Sequence, residues 1–229
     1  MALFASVFPV ICWIVYSYGI PLVERRRPSL SVIMSMQRRR WIAAATRRET
    51  PMDAIISGNL MQSVSLLAST SVLLVLAIVA SLGQVPNLMK ALGTLGLGGD
   101  YSSSDMQIHV LLLLGIFVAS FFAFSLSLRQ FNHFCIMIGA MEHDGTAPED
   151  EIDAIARLNS LAAKNFNNGI RAYYFAVPLV AWFASEWLAI LMTLVTLAFI
   201  VHREFFSSAH RIAASVALIA KRREQERQS

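Results

Sequence analysis

An alternation constrains this chain more than any single motif does: long apolar runs are separated by short segments that hold nearly all of the arginines. A helix gains about 1.5 Å per residue, so roughly 20 apolar residues cover the ~30 Å of hydrocarbon in a bilayer. Runs of that kind occupy 3–23, 57–82 and 106–126, and a last apolar stretch covers 172–201. Backbone N–H and C=O groups find no water inside hydrocarbon, so each run must satisfy them within itself, as a helix. With 56% hydrophobic and 15% charged residues and a mean hydropathy of +0.56, the chain is too apolar for a soluble domain. The pattern predicts an all-α integral membrane protein.

The basic residues orient it. The first run has no charged segment before it and no small-residue cleavage site, and Glu24 and three arginines follow it, as in a retained signal anchor. Eight arginines lie between Arg25 and Arg48. The stretch 172–201 can be one span or two. One span would put Arg203, Arg211, Lys221, Arg222, Arg223 and Arg227 opposite that collar, against the positive-inside bias. A turn at Ala184, Ser185 and Glu186 instead gives two short spans, 169–184 and 187–203, and leaves Lys90 as the one basic residue of 19 on the far side. The expected layout is a single membrane domain of about five spans with a basic tail over 205–229. It sits in a bacterial inner membrane, N-terminus outside and C-terminus in the cytoplasm.

Local signals fill in the rest. Pro28 and Ser29 offer a break and a cap for a helix over 29–48, with Leu30, Ile33, Met34, Trp41 and Ala45 on one face. It reads as an interfacial helix holding Arg38, Arg39, Arg40 and Trp41 against anionic headgroups. Thr50, Pro51, Met52 and Asp53 resemble a fresh helix start. The helix they open carries Ser63 and Thr70 which, with Ser125, are candidates for a polar path. Residues 83–105 read as a Gly/Ser-rich loop, and the GLGG at 96–99 lacks the strand and the Lys of a phosphate loop. Ser104 or Asp105 caps a third helix running to 141, on which Gly115, Ala119, Ala123 and Ser127 form a small-residue ridge for close helix approach. Beyond 126 that helix leaves the bilayer, and a cytoplasmic hairpin over 127–168 turns at 139–148. The fourth helix begins with acids at its positive end.

The hairpin holds the dense polar chemistry. Arg157, Ser160, Lys164, Asn167, Arg171 and Tyr174 alternate spacings of three and four and share one helix face. Ser125, Arg129 and His133 recur at every fourth position on the opposing arm. Antiparallel arms bring Arg129 to the depth of Arg171. Such arginines need phosphate, a carboxylate such as Glu204, backbone carbonyls or a bound anion. Arg129, Arg171, Lys164, Asn167 and Arg157 are therefore the candidate anion or headgroup site. The plainer reading is arginines that snorkel to headgroups.

Other chemistry is unsupported. No aromatic-interleaved basic surface points to nucleic acid. There is no GxSxG, no HExxH and no close carboxylate pair facing the membrane, and the acids at 149–153 suffice as a helix start. Cys12 and Cys135 fall in separate runs without a metal-binding spacing, and His133 and His202 have no fixed relation. No catalytic residue, metal or cofactor is expected.

The segments SLRQFN (127–132), IGA (138–140), FNNGIRAYYF (166–175), AWF (181–183) and REF (203–205) together resemble the domain of unknown function 599 family of multi-pass membrane proteins. The resemblance runs from the Arg39-Arg40-Trp41 segment to Ala209. It implies the membrane class and marks the hairpin as the family's signature, and it brings no activity. The functional expectation is a homo-oligomeric, channel-like or transport-related protein with a positively charged cytoplasmic mouth for a small anion. The alternative is a non-catalytic scaffold or accessory subunit that binds anionic lipid or another membrane complex.

Overall fold

The computed structural model describes residues 1–48, 52–97 and 101–228. These are all-helical: α1 (Ala2–Glu24), α2 (Leu30–Ala45), α3 (Met52–Leu82), α4 (Val85–Thr94), α5 (Ser103–Ala140), α6 (Glu149–Trp182), α7 (Glu186–Phe205) and α8 (Ser208–Gln228). Among the described residues, four stretches are long and apolar enough to cross a membrane: Ala2–Glu24, Ile55–Leu82, Ser103–Ala140 and Glu186–Ala220, the last containing α7 and part of α8. Residues 169–184, expected as a further span, fall largely in the C-terminal half of α6, which carries Arg171 and Pro178. The helices group into two compact units. The first comprises Met1–Gly19, Val64–Ser125 and Phe166–Ile200, and the second Ile20–Ser63, Leu126–Asn165 and Val201–Ser229.

Helix starts follow the side chains that can satisfy orphan N–H groups. Ser29 caps α2, its hydroxyl accepting from Val32 N–H at 3.3 Å. The cap of α5 is Ser102 rather than Ser104 or Asp105. The Ser102 hydroxyl accepts from Asp105 N–H (3.1 Å), and the Asp105 carboxylate accepts from Ser102 N–H (3.2 Å). Asp105 is thus the reciprocal member of a capping box. The expected cap and proline at Thr50 and Pro51 lie outside the described residues, as do Gly98 and Gly99.

The expected loop contains a helix, and the basic tail is helical. Within 83–105, Val85, Leu88, Met89 and Leu92 recur at helical spacing and form the protected side of α4, and Pro86 sits in its first turn, where a missing N–H costs nothing. Gly96, at φ +66°, ends it: Leu97 N–H reaches the Leu92 carbonyl (3.0 Å) and Gly96 N–H that of Gly93 (3.1 Å). This left-handed closure suits glycine. The basic tail is α8, restarted after α7 by Ser207, whose hydroxyl accepts from His210 N–H at 3.2 Å.

The core of α5 is one seam. Met106, Val110, Leu113, Phe117, Ser120, Phe124, Ser127, Phe131, Phe134, Ile138 and Met141 are all buried, at spacings alternating four and three. That 3.5-residue period keeps a stripe on one side of a long helix. Of the small-residue ridge only Ser127 belongs to this seam. Gly115 is exposed with nothing within 4 Å of where a Cβ would stand, and Ala119 and Ala123 are half-buried. Close approach comes from α6 instead, where a Cβ on Gly169 would lie 2.5 Å from Phe124 Cε1.

In the first unit, α5 and α6 pair antiparallel around Phe124 and Gly169. Phe117 and Phe124 both meet Tyr173 edge-on at 5.5 Å, and the Tyr173 hydroxyl lies 2.7 Å from Ser71 Oγ and 3.3 Å from the Leu67 carbonyl on α3. In the second unit the same two helices are tied by Ser127, donating to the Ala162 carbonyl (2.8 Å), and by Asn165, donating to Gln130 (2.8 Å). There α2 buries Ile33, Ile42 and Ala45, while Met34, expected on that face, is exposed.

Candidate functional site

The six-residue stripe on α6 does not form one surface. Each arginine or lysine stands two positions after a seam residue, Arg157 after Ile155, Lys164 after Ala162 and Arg171 after Gly169. Two positions turn about 200° around a helix, so the stripe faces away from the seam. Arg157 and Lys164 are accordingly exposed, and Arg157 Nε donates to the Asp153 carbonyl of its own helix (3.3 Å). Asn167 is half-buried. Arg171 is only 8% exposed, its guanidinium 5.4 Å over the ring of Tyr16 on α1. Arg129 is exposed, and it and Arg171 fall in different units.

The residues expected at the lipid surface of α2 largely turn to protein. Trp41 packs on Phe134 (centroids 5.6 Å apart) and donates its indole N–H to Asp53. Asp53 is buried and also accepts from Arg48 (2.8 Å), so one carboxylate joins two points of α2's C-terminal region to the start of α3. Arg39 pairs with Glu149 and Asp153, one turn apart on α6. The Asp153 hydrogen bond, chiefly, holds its guanidinium above the ordinary value. Burial pulls the Arg38 guanidinium below its ordinary value, and Arg40 is half-buried.

The three polar-path residues lie on α3 and α5. Ser63 and Thr70 donate to the carbonyls of Asn59 (3.0 Å) and Leu66 (2.8 Å) in their own helix, and Ser125 is half-buried. Only 17% of the most apolar stretch of α3 is buried, against 39% for α5. The hydroxyl-bearing helix is therefore the less covered of the two.

In the second unit Arg25, Arg26, Arg27, Arg129, Arg157, Lys164, Arg203 and Arg211 are exposed, and Glu142, Asp144, Glu149, Asp150 and Glu151 are gathered at the turn of the hairpin, where Arg39 pairs with Glu149 and the Arg47 side chain lies beside Gly145. There Thr146 donates from both its N–H and its hydroxyl to Asp144 (2.8 and 2.6 Å), holding that carboxyl below the usual range. Gly145, at φ +84°, donates its N–H to the Thr46 carbonyl at the end of α2 (2.9 Å).

Sequence reasoning missed His109. Its ring is fully buried, with Nε2 2.8 Å from the Leu179 carbonyl and Nδ1 2.9 Å from Ser6 Oγ. A carbonyl only accepts, so Nε2 carries the proton and Nδ1 accepts from the Ser6 hydroxyl. The Leu179 carbonyl lies in the last turn of α6, where helical donors run out. Trp182 stacks on His109 (4.0 Å) and Tyr101 (4.2 Å) and donates to the Ala2 carbonyl (3.2 Å). The available signal was a polar side chain inside an apolar run.

Over residues 4–209 the chain matches the family profile described as protein of unknown function, DUF599. The chain belongs to the DUF599 family. No curated protein and no solved structure matches it. In this DUF599 chain the segments SLRQFN (127–132) and FNNGIRAYYF (166–175) are largely devices for joining helices: Ser127 and Gln130 to α6, Gly169 to α5 and Tyr173 to α3. Phe205 is buried, and Glu204 lies 3.5 Å from the Ser31 hydroxyl on α2.

Proposed function

We propose that this protein is a non-catalytic membrane scaffold or accessory subunit whose basic, cytoplasmic end binds anionic lipid. The observation that carries the reading is a set of exposed basic side chains: Arg25, Arg26 and Arg27 just after the first span-forming stretch, and Arg129, Arg157 and Lys164 on the arms of the hairpin. Arginines near the ends of spans gain about 1 kcal/mol each from an anionic leaflet. The positive-inside bias supports the cytoplasmic placement. Lipid analysis of the purified full chain tests this. Anionic phospholipid is expected to be enriched over the bulk membrane, and the enrichment to fall in a variant with Arg129, Arg157 and Lys164 changed to Gln. Co-purified lipid of bulk composition would overturn the reading.

One observation favours a second reading, a homo-oligomeric channel-like protein. The thinly covered α3 carries Ser63 and Thr70 and is free to meet other copies, whose hydroxyls would together line a path for a small anion. Anion flux into liposomes that falls on Thr70→Val supports it, and tight liposomes around a monomeric protein rule it out.

A further inference from the structure

Helix α8 has one covered face and several exposed apolar side chains. Ala213, Ala214 and Ala217 are half-buried and Ala220 is buried, and the helix packs against α2. The starts of the two helices are joined, with His210 Nε2 3.1 Å from the Pro28 carbonyl and the Arg27 guanidinium 4.6 Å over the Phe206 ring. About a third of a turn around from the alanines, Ile212, Val216 and Ile219 are 65, 46 and 52% exposed at spacings of four and three, and Leu218, on another side of the helix, is also exposed. Arg211 stands exposed at one end of the stripe and Arg222 and Arg223 at the other. Ser207 makes α8 a separate helix, beginning at Ser208 after α7 ends at Phe205, and its first part continues the apolar stretch Glu186–Ala220.

We propose that α8, rather than α2, is the bilayer-docking helix of this protein, with Ile212, Val216 and Ile219 among the acyl chains and Arg211, Arg222 and Arg223 on anionic phospholipid headgroups. The partner follows from charge and place. An apolar stripe bracketed by arginines and joined directly to a membrane-crossing stretch fits an anionic leaflet, whereas Trp41 of α2 is committed to Phe134 and Asp53. The proposal rests on the lipid-binding reading above and assigns its apolar part.

The full chain, with Cys12 and Cys135 changed to Ala, is spin-labelled at Val216→Cys or Gln225→Cys and reconstituted into vesicles of phosphatidylcholine with or without phosphatidylglycerol. In the anionic vesicles, position 216 should admit oxygen but exclude a water-soluble nickel chelate several-fold more than position 225 does. That exclusion should weaken without phosphatidylglycerol and in an Arg211→Gln/Arg222→Gln/Arg223→Gln variant. Equal nickel access at 216 and 225 would overturn the proposal, as would exclusion of both probes at 216, which marks a second copy or a protein partner. The same vesicles separate the two ideas. A water-exposed 216 with anionic lipid still retained by Arg129, Arg157 and Lys164 refutes α8 docking alone, and loss of that retention with 216 still shielded refutes the collar alone.

Discussion

Gly169 on α6 lies so close to Phe124 on α5 that a Cβ on the glycine would stand 2.5–2.8 Å from three atoms of the ring. Phe124 is fully buried and held between Phe166 and Tyr173, so it has little room to yield. Alanine gains about 0.5–1 kcal/mol over glycine in a helix, but overpacking costs about 1–3 kcal/mol. Gly169→Ala should therefore lower the midpoint of thermal or SDS-induced unfolding. Adding Phe124→Leu should recover much of the loss, and an additive double variant would refute the contact.

Asp53→Ala leaves the Trp41 indole and the Arg48 guanidinium without the carboxylate they share. Because Arg48 is partly solvated, the loss should be about 1–3 kcal/mol rather than the full penalty of a buried broken pair. Asp53→Asn keeps an acceptor for Trp41 and should cost less. Unfolding curves of the two variants give the comparison, and equal losses would show that the Trp41 bond contributes nothing.

Replacing His109 separates ring from hydrogen bond. His109→Phe retains a stacking partner for Trp182 but strands the Leu179 carbonyl and the Ser6 hydroxyl, at about 1–3 kcal/mol. His109→Ala also empties the ring's space, for about 2–4 kcal/mol in total. Trp182 emission should shift with alanine and stay near its native position with phenylalanine, and the reverse order would assign the stack to another partner.

The pairs of Arg39 with Glu149 and Asp153 are solvent-exposed, with side-chain exposures of 46, 77 and 43%. Glu149→Gln with Asp153→Asn should cost no more than about 1 kcal/mol at low salt and almost nothing in molar salt. A salt-independent loss would mean that these side chains act by packing.

A cysteine at Ser185, in a background lacking Cys12 and Cys135, should react with a membrane-impermeant maleimide on intact cells, whereas one at Gln225 should react only after permeabilisation. The opposite pattern would invert the proposed orientation.

What was legible in the sequence was set by short-range physics. Apolar run length marks the long helices, and serine and acidic caps place their starts to within a few residues. The seam of α5 was also written there, as Phe117, Phe124, Phe131 and Phe134 at heptad spacing. Gly115, Ala119, Ala123 and Ser127 make an equally regular pattern, however, and spacing alone does not say which stripe has a partner. That depends on Gly169, distant in sequence. The same limit hid the bond of Trp41 to Asp53, each of which has a complete local explanation, and the caps on Leu179 and Ala2. Helices α4 and α8 were hidden differently, the first between glycines that ordinarily mark loops and the second under a charge run that ordinarily marks a solvated tail.

The hairpin turn has a consequence for encounters with charged molecules. Between Arg129 and Ala140 α5 rises about 16 Å, about two Debye lengths at physiological salt. The field of Arg129 therefore contributes little at the turn. There the exposed acids are met by Arg39, paired with Glu149 and Asp153, and by Arg47, whose side chain lies beside Gly145. That local balance decides which sign an approaching molecule meets, and removing Arg39 should make the turn more attractive to a cationic partner while leaving the Arg129 end unchanged.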